Sequence, residues 1–266
     1  MILSQALFTF LIILGIVGGI GSLSILVSLL IIEKEHEYLV VEREKNELEY
    51  LLKEAQISNL TSQIHPHFLF NSLNTITSLI RLNKNKDAIS SLQAISSLLR
   101  YTLRDTQQLV KIEEELNSVK MYFKIQKMRF GKRLDWEIHC LEKYMDIEIP
   151  MLSIQPLVEN ACKYGIEPSI NGGVIKILIE MEEDTLYIRI RDNGVGISER
   201  VIADFYQWKS SGVKSEELGI GIMNTYERIK YFYGNRSDLL IENTSVGTVC
   251  SIIIREESSY ESINSG

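Results

Sequence analysis

Gln63-Ile64-His65-Pro66-His67-Phe68-Leu69-Phe70-Asn71-Ser72-Leu73-Asn74 is the stretch from which the rest of the chain can be read. At 3.6 residues per turn, His67, Asn71 and Asn74 share one helix face, while Leu69, Leu73, Ile76 and Ile80 form an apolar stripe roughly opposite. The pattern predicts a helix that is anchored by its stripe and presents a histidine to solvent. A surface histidine beside a helix-starting proline is common in proteins of every function, so spacing alone makes His67 no more than a candidate.

Outward from this helix, Arg81-Leu82-Asn83-Lys84-Asn85-Lys86-Asp87 is polar and turn-like, and Ala88, Leu92, Ile95 and Leu99 then resume a helical stripe. The two helices read as an antiparallel hairpin. A lone hairpin leaves apolar surface wet, so pairing with a second copy into a four-helix bundle is expected. A further helix, Ile112 to Phe130, ends at Gly131, a residue type suited to the turn past a helix end. Beyond it the period changes to alternation. Leu134–His139, Tyr144–Ile149, Val174–Met181, Leu186–Arg191, Leu239–Glu242 and Thr248–Arg255 read as strands, with helical patterns at Ser153–Tyr164 and Ile220–Tyr233. The mixture predicts an α+β chain that ends in an α/β sandwich, a largely antiparallel sheet with helices on one face.

Upstream, Ile2 to Ile32 contain no charged side chain. At about 1.5 Å per residue this stretch exceeds the roughly 30 Å hydrocarbon thickness of a bilayer. Segment 1–32 is read as a transmembrane anchor. A secretory signal is the competing reading, but a basic start and a clear cleavage site are both missing. Lys34, Arg43 and Lys45 follow the span and no Lys or Arg precedes it, which predicts a single-pass protein of the cell membrane with its remainder in the cytoplasm. At most a few residues precede the span, so no extracellular sensor domain is expected. Gly15 and Gly19 have the spacing of close-packing membrane helices.

Residues 33–58 read as a helical linker, either a solvated helix or a short parallel coiled coil, continuing to about Ser62. Carrying the Leu69 stripe backwards puts Leu60 and Ile64 on the face of His67, so a register shift and a mechanical joint are expected near Pro66. The net charge of −7 over 266 residues supplies no electrostatic footprint for nucleic acid. Cys140, Cys162 and Cys250 are scattered without CxxC spacing, which suggests neither a zinc site nor a disulfide framework.

Three further segments bear on chemistry: Gln155-Pro156-Leu157-Val158-Glu159-Asn160-Ala161-Cys162-Lys163-Tyr164-Gly165, Asp192-Asn193-Gly194-Val195-Gly196-Ile197 and Gly219-Ile220-Gly221-Ile222-Met223-Asn224. Singly they are a helix end, an Asp-Asn-Gly turn and a lone Gly-x-Gly, all weak signals. In order after Pro66-His67-Phe68-Leu69-Phe70-Asn71 they resemble the LytS/YehU-like sensor histidine kinases, whose acceptor helix carries that hexapeptide. The three segments resemble the N, G1 and G2 boxes of the ATP-binding domain shared with gyrase-type topoisomerases, Hsp90-type chaperones and mismatch-repair ATPases. The likeness covers about residues 59 to 256. It implies a dimerisation and histidine phosphotransfer region at 59–131, a Bergerat-type ATPase domain at 132–257 and a polar tail at 258–266.

The resemblance implies autophosphorylation by ATP on His67, then transfer to an aspartate of a response regulator. His65 competes as acceptor, but many relatives have Asn at its position. Asn160 would ligate Mg²⁺ through its amide oxygen, and Lys163 would offer a cation to phosphate. Tyr164, where relatives usually have His, would pack beside the nucleotide. Asp192 would accept from the adenine amino group. Gly194 and Gly196 would permit close backbone approach, and Gly219 and Gly221 would open a helix start to the polyphosphate. Ser198 to Leu218 would form a mobile lid loop. Many histidine kinases have an acid directly after the acceptor, a place that Phe68 fills here. Glu159 is the candidate base by analogy, and Asn71 would orient water or the acceptor ring. A homodimer is implied, and a separate membrane sensor or transporter is a conceivable partner. Two other readings stay open: a non-catalytic dimeric scaffold, and an ATP-hydrolysing machine of the gyrase or chaperone kind.

Overall fold

The computed structural model of the chain describes residues 19, 21, 23, 25–47, 66–104, 107–212 and 219–256. Residues 25–47 are helical and form α1. Helix α2 (Pro66–Arg81) starts on the proline, whose fixed φ and missing N–H suit a first turn. Its stripe packs as expected at Leu69 and Ile76, which are buried, whereas Ile80 near the end is 40% exposed. Helix α3 (Asn85–Thr102) buries Ala88, Leu92, Ile95 and Leu99, and also Ala94 and Leu98. The wider stripe reflects packing against both α2 and α4 (Ile112–Phe130).

Helix α1 lies beside α3 through Asn85 to Glu37 at 3.3 Å and Arg100 to Glu47 at 2.5 Å. These contacts advance in the same direction along both helices, so α1 runs parallel to α3 and opposite to α2. The two are therefore not one straight helix. The expected register shift before Pro66 lies outside the described residues, as does most of the 1–32 span. Among the described residues no helix is long and apolar enough to cross a membrane.

The sheet has the order β2 (Leu134–Cys140), β4 (Gly173–Glu182), β5 (Thr185–Asp192), β7 (Gly247–Arg255), β6 (Ser237–Thr244). Only β2 and β4 are parallel, joined by a helical crossover; hairpins make β4–β5 and β6–β7 antiparallel, and β7, returning after α6, α7 and β6, pairs antiparallel with β5. Alternation explains the layering. Ile175, Ile177 and Ile179, with Leu186, Ile188 and Ile190, and with Cys250, Ile252 and Ile254, fill one face, while Lys176, Arg191 and Leu240 point out. Fully burying each such aliphatic side chain is worth roughly 1.5–3 kcal/mol. Helix α4 is fixed to β2 by Phe123 stacked on Trp136, 5.0 Å between centroids and 8° between planes.

Some elements depart from the sequence reading. The strand expected at Tyr144–Ile149 is a 3₁₀ turn, Glu142–Tyr144, followed by β3 (Glu148–Pro150), which pairs with the unforeseen β1 (Leu109–Lys111). The helix expected at Ser153–Tyr164 is α5 (Gln155–Asn160) continued by π-type turns over Ala161–Ile166. The lid was expected as a loop from Ser198 to Leu218. Most of it is α6 (Glu199–Ser211), capped by the Ser198 hydroxyl accepting from the Val201 N–H at 3.3 Å. Phe205 and Trp208, one turn apart and buried, hold it against the core, where Phe205 and Trp208 meet Tyr226 of α7 (Ile220–Tyr233). The chain is thus α+β, a helical region plus a sheet-based unit.

Candidate nucleotide site

Asp192 is the last residue of β5, the central strand of the sheet, and it is 4% exposed. Its carboxylate accepts from the Gly194 N–H at 2.9 Å and from the Thr248 N–H of the adjoining strand. Burial raises its pKa, and these N–H groups oppose the rise. Glycines make the packing possible. A Cβ on Gly165 would sit 2.6 Å from Asp192 Oδ1, and one on Gly194 would sit 2.2 Å from the Gly165 carbonyl oxygen. The Val195 N–H donates to that same oxygen at 3.1 Å, so the end of the N-box segment is bolted to the loop after β5. Gly196 has φ +81, a conformation that side chains resist.

Asn160, the last residue of α5, is 9% exposed, and its Nδ2 is a buried polar atom without a hydrogen-bond partner. A Cβ on Gly221 would lie 3.6 Å from that nitrogen, so the amide points at the start of α7. A half-turn of the amide exchanges its oxygen and nitrogen. Either end is thus available to a ligand, the oxygen to a hard cation or the N–H to a phosphate oxygen, and the residue fits the Mg²⁺ role. Among the described residues no cluster of His, Cys, Asp or Glu could hold a metal by itself, so phosphate oxygens and water would have to supply the other ligands.

Gly219 caps α7, with open space where its Cβ would be. Lys163 and Tyr164 are exposed neighbours, the ammonium 4.7 Å from the ring centroid. Glu159 accepts from Gln155 Nε2 at 2.8 Å, and Gln155 Oε1 accepts from the Ser118 hydroxyl at 2.6 Å, which fixes the carboxylate to α4. Burial pushes the Glu159 carboxyl up to about 7, against the pull of Gln155 and Lys163.

His67 lies in the first turn of α2 and Asn71, half-buried, one turn later. The next residue, Phe68, lines a cavity of about 50 Å³ together with Tyr122, Gln126, Glu159, Asn160 and Lys163. The first turn of α2 and the end of α5 therefore meet. Gln155, Gly165, Gly247 and Thr248 were not singled out as site residues from the sequence. Gly165 sat in a quoted segment, and its signal was a glycine just past a helix. Thr248 offered none, since it contributes a backbone N–H.

A histidine kinase family model matches residues 55–134. A model described as histidine kinase-, DNA gyrase B- and HSP90-like ATPase matches residues 146–258. The chain is 33% identical over 212 residues to the sensor protein LytS of Oceanobacillus iheyensis, covering 79% of this chain and 36% of that one. It is 38% identical over 190 residues to the sensor histidine kinase YpdA of Escherichia coli, covering 71% and 32%. To the sensor histidine kinase/phosphatase LytS of Staphylococcus aureus it is 34% identical over 215 residues, covering 79% and 36%. The chain thus spans about a third of the length of the curated relatives it matches.

Proposed function

The chain belongs to the LytS-like sensor histidine kinases, and from that premise we propose that it phosphorylates itself on His67 at the expense of ATP and passes the phosphoryl group to an aspartate of a response regulator. One observation carries the reading: a buried, glycine-enclosed Asp192 and a buried, unpartnered Asn160 amide lie around the same loop and helix starts. Asp192 accepts from the adenine amino group. Gly194 and Gly196 admit the nucleotide to the backbone, Gly219 and Gly221 leave the first turn of α7 open to phosphates, and Lys163 and Tyr164 flank them. Mg²⁺, held by Asn160, would supply charge neutralisation at the phosphates. Glu159 receives the acceptor's proton, and Asn71 orients the ring or a water.

The domain assignment, 59–131 for dimerisation and phosphotransfer and 132–257 for ATP binding, follows the same reading. So does a homodimer, which would cover Phe70, 68% exposed on α2. The exposed run Ile25, Leu26, Val27, Leu29, Leu30, Ile31 and Ile32 on α1 supports anchoring in the cell membrane, with the catalytic part in the cytoplasm and the stimulus reaching it within the bilayer or through a membrane sensor or transporter. The test is incubation of the detergent-solubilised protein with γ-labelled ATP and Mg²⁺. An acid-labile, alkali-stable label that His67→Gln abolishes and His65→Gln retains is expected. An acid-stable label, or label on His67→Gln, overturns the proposal.

A further inference from the structure

We infer that phosphoryl transfer takes place within one chain, with Phe68 as the positioning residue that seats the acceptor turn of α2 against that same chain's nucleotide site. The inference rests on the kinase reading above. Phe68 and Phe70 stand two apart near the start of α2, yet they have opposite fates. Phe70 is 68% exposed, whereas Phe68 packs against the core and stacks on Tyr122 of α4, with centroids 5.2 Å and planes 28° apart. Tyr122 is itself buried, and its hydroxyl accepts from Gln126 at 2.8 Å, so the platform under Phe68 is fixed. The Phe68 carbonyl accepts from the Ser72 hydroxyl at 2.7 Å within α2.

Glu159, Asn160 and Lys163 border the cavity that Phe68 lines, and all of these groups belong to one chain. Consecutive Cα atoms are about 3.8 Å apart, so the backbone of His67 is fixed beside this cavity by its neighbour. A second copy is not needed to bring acceptor and N-box helix together. The position that holds an acid in many related kinases thus holds a docking group here, and the acid faces it from α5. In the step, an imidazole nitrogen forms a bond to the γ-phosphorus as the bond from that phosphorus to the β,γ-bridging oxygen breaks. ADP leaves with the electron pair, and the imidazole proton passes to the Glu159 carboxylate.

The experiment uses full-length chains carrying two different tags, one with His67→Gln and one with Asn160→Asp, co-expressed and purified over both tags in succession so that every particle holds both. Intramolecular transfer leaves the mixed particles unlabelled by γ-labelled ATP, while the parent homodimer is labelled. Label on the Asn160→Asp chain overturns the inference. An unlabelled parent instead overturns the kinase reading. If no particle carries both tags, dilution replaces the mixing: the initial labelling rate per parent chain must then stay constant over a hundredfold range, and a fall overturns the inference. Phe68→Ala should slow labelling at saturating ATP about tenfold or more with the apparent KM for ATP within about twofold, and Phe68→Tyr, which keeps the ring, should recover most of the rate. A Phe68→Ala protein that labels at the parent rate removes the positioning role.

Discussion

The Tyr101 hydroxyl donates to Glu115 Oε1 at 2.5 Å, joining the last turn of α3 to the first turn of α4. Glu115 is fully buried, and its two oxygens also accept from the backbone N–H groups of Leu152 at 2.6 Å and Ile154 at 2.8 Å. Leu152 holds a left-handed conformation, φ +58, and its carbonyl accepts from Arg228 of α7 at 2.7 Å. One carboxylate therefore ties the helical hairpin to the entry of α5 and, through Leu152, to α7. Burial raises the Glu115 pKa and the donors around it oppose that rise.

Because the unmade partner of a buried group costs more than the bond itself is worth, Glu115→Gln should destabilise the protein by about 2–3 kcal/mol, and Tyr101→Phe by about 1.5–3 kcal/mol. The double variant should lose less than the sum, since both changes cut one bond. Urea unfolding of the four proteins measures this. Simple additivity would mean that the two groups are not coupled.

Glu159 yields a pH prediction with a definite sign. Its folded carboxyl titrates at about 7 against an ordinary 4.5, so the folded state holds this proton more tightly than the unfolded chain. Stability from this group is then lost as pH rises from about 4.5 to about 7, by up to about 3 kcal/mol. Glu159→Gln removes that slope. Relative to the parent, the variant should become progressively more stable across the window and level off above it. A parent–variant difference that does not change with pH would show that the carboxyl titrates normally.

The glycines of the site should separate into two classes. Gly165→Ala puts a Cβ 2.6 Å from Asp192 Oδ1, and nothing there can give without breaking the Asp192 contacts, so a loss of about 1–3 kcal/mol in stability and a marked loss of ATP binding are expected. Gly219→Ala meets open space and a φ of −65, so stability should stay within about 1 kcal/mol. Any loss of nucleotide affinity in that variant reports the ligand rather than the fold. Thermal unfolding with and without ATP distinguishes the two.

The strands of the sheet were readable because one face is buried and the other open, which leaves a period of two in the sequence. Strand β1 was not, since Leu109–Lys111 is too short to show any period. The signal for helix α6, Ser198 as a cap followed by Phe205 and Trp208 one turn apart, lies inside the segment that the family resemblance implies to be a lid loop. Glu115 was hidden by its neighbours: Glu113, Glu114 and Glu115 together read as solvated acids favouring a helix start, and its N–H partners lie 37 and 39 residues away. Asn160 and Asp192 stood out as candidates because each sits in a short motif whose chemistry is local. The glycines whose roles depend on a second segment, Gly165 against Asp192 and Gly247 against the Asp192 carbonyl, become intelligible only in three dimensions.

Asp192→Asn tests the adenine contact most directly. The substitution keeps size and leaves one amide oxygen, but that oxygen cannot replace both carboxylate oxygens. The N–H groups of Gly194 and Thr248 already call on the carboxylate, and an adenine amino group would need a further lone pair. With the amide NH₂ turned toward one of these donors, two N–H groups oppose each other in a buried place, a penalty of about 1–3 kcal/mol. ATP affinity should fall about tenfold or more, and preference over GTP should shrink, because the acceptor that distinguishes an amino from a carbonyl group has become ambivalent. Equilibrium binding of both nucleotides to parent and variant is the measurement. Unchanged ATP affinity with unchanged preference would remove Asp192 from adenine recognition and leave it as a brace for the loop after β5.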